Sequence, residues 1–240
     1  MNDVNEKKSI REIINPSLKA KSVFAFDELK VSCDDFISMN ASINPESLNN
    51  FYETVTKIHP EYKNISIEEF LRRSFIFSGK YLTFAGALML SDIIRVRAEL
   101  KYSFGHVVIQ EFNIWNAYKN ILPRLTAKIS GKSAAILRET FINALLHSDY
   151  TLDNKINISI TPEPAKILID NPGLVRGSVR NQRLEKIFRL CGISDVKQKG
   201  LNTVKKYFSS FKLEQDLLNF RTVAKFKIEG LGKLPEPKIL

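Results

Sequence analysis

The stretch LRETFINALLHSDYT, residues 137–151, constrains this chain more than any other. Its spacing predicts a helix. At about 100° per residue, Leu137, Phe141, Ala144 and Leu145 fall on one apolar face. Glu139 and Asn143 lie opposite, four residues apart, yet Ile142 and Leu146 flank them. A helix apolar on nearly every side packs inside a layered fold and not on a wet surface. A carboxylate and an amide on such a helix need compensation, because an unpaired buried charge costs several kcal/mol. Two compensations are open. One is structural: Arg138 or Arg124 pairs with Glu139, and Asn143 ties down a loop. The other is a bound ligand.

The rest of the chain supplies the layers. INPESLNNFYETVTKIHP predicts a helix, with Asn44 as its N-cap and Pro45 at its first position. ISIEEFLRRSFIF predicts a second, with Ser66 and Glu69 as a capping box. Ser78-Gly79-Lys80 reads as a turn. YLTFAGALMLSDIIRV is open between helix and buried strand, and RVRAELKYSF alternates as a strand does. Residues 107–130 are expected to be helical, with Pro123 marking a break. KINISI and AKILID form a loose hairpin across Thr161-Pro162-Glu163-Pro164, and Asp170-Asn171-Pro172-Gly173 is a turn. A basic, partly helical connection over 174–199 precedes a helix, GLNTVKKYFSSF, and two strands near 213–220 and 221–229. This order suits an α/β (α+β) fold, a two-layer sandwich with helices on one face of a mixed sheet. The expected divisions are a polar segment 1–21, a mixed region 22–106, a main domain 107–230 and a tail 231–240.

The chain carries a net charge of +10, unevenly placed. Residues 1–120 hold 15 Lys/Arg and 15 Asp/Glu, so residues 121–240 carry the whole excess. Within 176–206, nine basic residues face only Glu185 and Asp195. Arg176, Arg180, Arg183, Lys186 and Arg189 recur at helical spacing as a basic stripe. It is open between a solvated face, a lid over a nucleotide and a surface for nucleic-acid phosphates or an acidic protein. The two cysteines, Cys33 and Cys191, fit no metal or redox spacing. With no leader-like N-terminus and no long apolar run, the expected location is cytoplasmic. His147, near the helix end, is expected to meet free carbonyls there, with a phosphate-positioning role as the alternative. Phe112, Trp115 and Tyr118 are expected in the core.

Arg138, Glu139, Asn143, Ala144, His147, Asp149 and Tyr150, followed by a hairpin and Asn171-Pro172-Gly173, resemble the ATP-binding domain of the gyrase, heat-shock chaperone, histidine kinase and mismatch-repair (GHKL) superfamily. More narrowly, they resemble bacterial Schlafen-type transcriptional regulators. AFDELKV, the INPESLNNFY helix and KYLTFAGALML fit the same relatives, so the resemblance covers roughly residues 22–230. It implies that Asn143 holds Mg²⁺ bridging the phosphates of ATP and that Glu139 orients or deprotonates the attacking water. It implies that Asp170 or Asn171 reads the adenine amino group, the register being open. Gly173 and Gly177 match glycines of the same motif.

The match thins at Lys197-Gln198-Lys199-Gly200-Leu201-Asn202-Thr203. There the relatives carry an acidic residue and a glycine pair whose backbone covers the phosphates. Gly200 survives, and lysines replace the carboxylate. Either Lys199 and its neighbour neutralise phosphate directly, or the site has decayed. Two functions follow as expectations. One is a regulator binding Mg-ATP in a partly degenerate pocket, with slow or no hydrolysis, a possible weak ATPase. The other is a non-enzymatic module with a vestigial pocket whose 176–206 segment docks nucleic acid or an acidic protein.

Overall fold

The structure is a computed structural model and describes residues 30–32, 43–79, 81–102, 105–127, 131–150, 152, 155–162, 165–175, 179–193 and 210–227. Its centre is a six-stranded mixed sheet. The strands are β4 (Arg95–Tyr102), β5 (Gly105–Glu111), β6 (Lys155–Pro162), β7 (Ala165–Pro172), β8 (Lys212–Asp216) and β9 (Arg221–Lys227), in the order β5-β4-β6-β7-β9-β8. Three hairpins, β4–β5, β6–β7 and β8–β9, are antiparallel, as is β7 against β9. The parallel pair is β4–β6, whose long connection carries helices. A small sheet of β1 (Lys30–Ser32), β2 (Phe77–Ser78) and β3 (Tyr81–Thr83) lies apart, in the order β1-β3-β2. The expected α/β sandwich is the observed class. The division drawn at 106/107 falls inside the β4–β5 hairpin, so a strand of the earlier region belongs to the main sheet.

Alternation decides which face of each strand is covered. Val96, Ala98 and Leu100, then Ile156, Ile158 and Ile160, are buried. So are Ile167 and Ile169 on β7 and Ala224 and Phe226 on β9. Burying each Val, Leu, Ile or Phe side chain among them contributes about 1.5–3 kcal/mol, and each alanine less. The intervening residues, Asn157, Ser159, Leu168, Asp170, Val223 and Lys225, stay partly exposed although most sit on central strands. One face of the sheet is therefore packed, and the other is open among the described residues.

Helix α1 (Pro45–Ile58) starts as expected: the Asn44 side chain accepts the Ser47 N–H at 3.0 Å, and Pro45 occupies the first turn. Helix α2 (Ile67–Arg73) starts at Ser66, whose hydroxyl accepts the Glu69 N–H at 3.2 Å. The Glu69 carboxylate pairs with Arg72 and Arg73, so only half of the expected capping box is seen. The helix stops at Arg73, not at Phe77, where β2 begins. The ambiguous YLTFAGALML splits into β3 and α3 (Phe84–Leu90), with the Thr83 hydroxyl accepting the Gly86 N–H. Gly86 lies so close to β2's approach that a Cβ there would fall 2.5 Å from the Ile76 carbonyl.

Residues 107–111 are strand, not helix. VVIQE pairs along β4, and its apolar residues suit either period. The helical run begins at Ile114–Asn116, passes through a π turn at Ala117–Ile121 and continues as Leu122–Thr126; residues 114–126 are α4. Pro123 does not break it. The π turn ends with the Leu122 N–H donating to Ala117, five residues back, so the wider turn sits immediately before the proline ring. Trp115 is buried and packs edge-on to Phe51 in the core, and Tyr118 packs on that core. Phe112 is exposed, at the strand–helix junction and outside the expected core.

Helix α5 (Gly131–His147) is the helix expected from 137–151, extended toward its N-terminus. Ile136, Leu137, Phe141, Ile142, Ala144, Leu145 and Leu146 are all buried, which accounts for its all-round apolar character. It packs between the sheet, at β7, and helices α4 and α6 (Gln182–Leu190). β7 runs on through Asp170, Asn171 and Pro172, which pair with Val223, Thr222 and Arg221. The expected four-residue turn is therefore strand up to Gly173, which takes φ +95°. The expected helix over 200–211 falls almost wholly outside the described residues.

Candidate functional site

Where α5 leans on β7, β9 and β8, a narrow cleft is lined by Thr140, Asn143, Ala144, His147, Ile169, Asn171, Leu174, Val175, Leu213, Thr222 and Ala224. A few polar groups converge on an otherwise apolar wall, the usual composition of a small-molecule site. Asn143 is 7% exposed, and its Nδ2 donates to the Glu139 backbone carbonyl at 2.8 Å and to the Glu139 carboxylate at 3.0 Å. The question raised by the buried stripe thus has a structural half-answer: the two residues hold each other. With both amide hydrogens engaged, the Asn143 Oδ1 is the atom left to face a ligand. Arg138 plays no part in this. It donates instead to the Tyr118 hydroxyl and the Ile193 carbonyl, each at 3.2 Å.

Of the two candidates on β7, Asn171 is the one that lines the cleft. Asn171 is 6% exposed, points to the helix side and lines the cleft. Asp170 points to the opposite face of the sheet, where its carboxylate accepts the Arg221 Nε at 2.7 Å. A strand alternates sides, so neighbours cannot share a cleft. Asp170, expected as an alternative ligand contact, therefore stands outside the cleft lining. Asn171 stands opposite Thr222 in the β7–β9 register, and Thr222 donates its hydroxyl to the Gly173 carbonyl at 2.6 Å.

Thr222 and Thr140 escaped the sequence reading. The signal for Thr222 was available: in RTVAKFK it occupies the inward parity shared with Ala224 and Phe226, a polar residue on a buried face. Gly177, Lys199 and Gly200 lie outside the described residues. Glu139 is half-buried beside the cleft wall and acts on it through Asn143. Among the described residues, no three His, Cys, Asp or Glu side chains cluster as a metal site.

The base of the cleft is braced by the His-x-Asp-Tyr end of α5. A helix leaves its last carbonyls without intrahelical donors. Here the Tyr150 hydroxyl donates to Leu145, Asn181 to Leu146 and Ser148, and the Arg180 Nε to His147. Arg180 also pairs with the Asp149 carboxylate at 2.6 Å and reaches the Leu174 carbonyl at 3.2 Å. The cation serving the helix terminus is therefore Arg180, not His147. Burial first, and the charge of Arg180 second, hold His147 below its ordinary value of 6.5, opposed by the weaker pull of Glu185.

The sign follows from linkage. A histidine depressed on folding binds its proton more readily when unfolded, so stability is full above pH 6.5 and declines as pH falls below it. Wild-type protein is expected to lose stability between pH 6.5 and about 5 more steeply than His147→Gln. Urea midpoints across that range check this, and parallel pH profiles would disprove it.

The basic stripe does not survive as one surface. Arg180 precedes α6 and is held by Asp149. Arg189 pairs with Glu185, and the Lys186 ammonium sits over the Phe75 ring at 5.8 Å. The Arg183 Nε is buried, without a hydrogen-bond partner among the described residues. Arg176 lies outside them. No described helix is long and apolar enough to cross a membrane.

No protein-family model matches the chain, and no curated protein matches it. Among solved structures, the crystal structure of the DIP2311 protein from Corynebacterium diphtheriae is similar, with a TM-score of 0.67 and 15% sequence identity. The similarity covers 88% of this chain and 41% of that protein, so this chain spans about two-fifths of that protein's length. At that identity the likeness concerns the fold, a mixed α/β arrangement of the kind described above.

Proposed function

We propose that this chain binds Mg-ATP or a related nucleotide in the cleft between α5 and the sheet, and works as a nucleotide-dependent regulator akin to the Schlafen-type transcriptional regulators. The observation that carries the reading is the convergence of Asn143, His147, Asn171 and Thr222 on one cleft. Three of the four sit in or beside the motifs that resemble the GHKL superfamily. An amide and a hydroxyl on neighbouring strands suit the hydrogen-bonding edge of a purine, and the Ile169, Leu213 and Ala224 side chains suit its faces.

The donor set agrees with a nucleotide-borne Mg²⁺ and not with a protein-held one. Asn143 Oδ1 is a hard ligand, but one amide oxygen does not retain Mg²⁺ without phosphate oxygens and waters around it. Bound there, Mg²⁺ would offset phosphate charge. Glu139 fixes the Asn143 amide through one carboxylate oxygen, and any hydrolysis, with the other oxygen left for water, is slow.

Calorimetric titration with ATP and Mg²⁺ tests the reading. Asn143→Ala should weaken Mg-ATP binding at least about tenfold, a loss of about 1.4 kcal/mol, while leaving the melting temperature within a few degrees. Mg²⁺ alone should not bind. Equal affinity in wild type and variant would overturn the assignment. A second reading, a vestigial pocket in a binding module, is favoured by the lysines at 197 and 199 where the relatives carry an acidic residue. No heat at millimolar ATP would select it.

A further inference from the structure

The excess positive charge of the second half has no home in the expected stripe, but the open face of the sheet provides one. On that face, Lys101 of β4 directly follows Leu100, which pairs with Ile160 of β6; the next residue of β6, Thr161, stands opposite Lys166 of β7, and Lys166 opposite Lys227 of β9. Lys101, Lys166 and Lys227 are exposed, and among the described residues none of the three ammonium groups has an ion-pair partner. Lys212 adds a further exposed cation on β8, beside Lys225. The carboxylates on the same face each have a nearer partner: Asp170 pairs with Arg221, Glu214 with Lys225 and Glu99 with Arg97, while Asp216 accepts from Asn219. Four adjacent strands about 4.8 Å apart place the row over roughly 14 Å.

We propose that this open sheet face docks a double-stranded nucleic acid through its phosphates, independently of the nucleotide cleft on the opposite side of the sheet. Charge complementarity selects the occupant. Although Glu214 lies within electrostatic reach of Lys166 and Lys212, cations outnumber carboxylates on this face, and a row of lysines without ion-pair partners matches a polyanion of regular charge spacing, whose condensed counterions are released on contact. The outward strand positions carry no Phe, Tyr or Trp, so the face lacks the stacking platform that single strands use. It also projects no helix or ribbon into a groove among the described residues. Contact is therefore with backbone, and recognition is independent of base sequence.

The test uses the full chain and a fluorescein-labelled 20-base-pair DNA duplex of arbitrary sequence. Anisotropy is followed from about 50 to about 200 mM salt. The expected slope of log K against log salt is about −3 to −4, from four lysines at about −0.9 each. K101Q/K166Q/K227Q should reduce the slope by about 2–3 and weaken binding at least tenfold at the lower salt. The control K57Q/K63Q/R124Q removes the same charge from exposed helical positions away from the sheet and should change binding less than about threefold.

Equal weakening by both triple variants would overturn the proposal, since it would mean attraction to net charge alone. So would absence of binding to duplex at the lower salt. Tighter binding to a single strand than to duplex, or to poly-glutamate than to either, would also overturn it by assigning the face to another occupant. Thermal melts establish that the variants fold, and these solvated side chains are expected to leave the midpoint within a few degrees.

Discussion

Arg180→Ala is expected to cost about 3–5 kcal/mol of folding stability, the range for breaking a largely buried ion pair by removing one partner. The side chains of Arg180 and Asp149 are 10% and 14% exposed, and their closest approach is 2.6 Å. The same guanidinium caps the His147 carbonyl and holds the Leu174 carbonyl. One side chain thus ties the end of α5 to the chain leaving β7, the two walls of the cleft. Alanine removes that guanidinium from Asp149 and the Arg180 bonds from both carbonyls, in a place water reaches poorly. Arg180→Lys keeps the charge but not the fork, and its loss should be intermediate. Urea unfolding measures both. A loss below about 1 kcal/mol for the alanine variant would mean the pair behaves like a surface salt bridge.

Arg180 also shows why sequence reading reached some parts of this molecule and not others. Its spacing to Arg183, Lys186 and Arg189 is a faithful helical repeat, yet α6 begins at Gln182. Periodicity reports which residues share a face only if the helix exists at each of them. It carries no information about Asp149, thirty-one residues earlier, which bends Arg180 inward. The α5 stripe was legible for the opposite reason: Glu139 and Asn143 are neighbours on one helix, so their contact is local.

The sheet divides the same way. Alternation in KINISI and AKILID is local and marked both strands. VVIQE is a run too short to separate the two periods, and a helix follows it directly, so its strand character is not visible in the local pattern. The choice between Asp170 and Asn171 is a one-residue matter of parity, which depends on which face of β7 the helices cover. That is decided by pairing with β9, more than fifty residues downstream. Local chemistry located the cleft's two motifs; only the tertiary register identified Asn171 and Thr222 as the pair that faces into it.

Gly173→Ala should destabilise the protein by about 2–5 kcal/mol, mostly through loss of space. Its φ of +95° costs an L residue about 1–2 kcal/mol before any contact is counted. A Cβ there would lie 2.8 Å from the Asp149 Cβ and 3.1 Å from the Asp149 nitrogen. Neither can retreat easily. The Asp149 N–H donates to the Pro172 carbonyl at 2.8 Å, and the Asp149 carboxylate is held by Arg180. Gly173 is itself fixed on both sides, its N–H donating to Phe220 and its carbonyl accepting from Thr222. Overpacking such a contact adds about 1–3 kcal/mol. Gly79→Ala is the internal control: it has φ +64° and open space around it, so only the backbone cost of about 1–2 kcal/mol applies. Thermal and urea unfolding of the two variants separate strain from crowding. Equal losses would mean that the loop after β7 yields freely. A larger loss at Gly173, accompanied by weaker Mg-ATP binding, would tie the packing of Asp149 against this glycine to the shape of the cleft that Asn171 and Leu174 line.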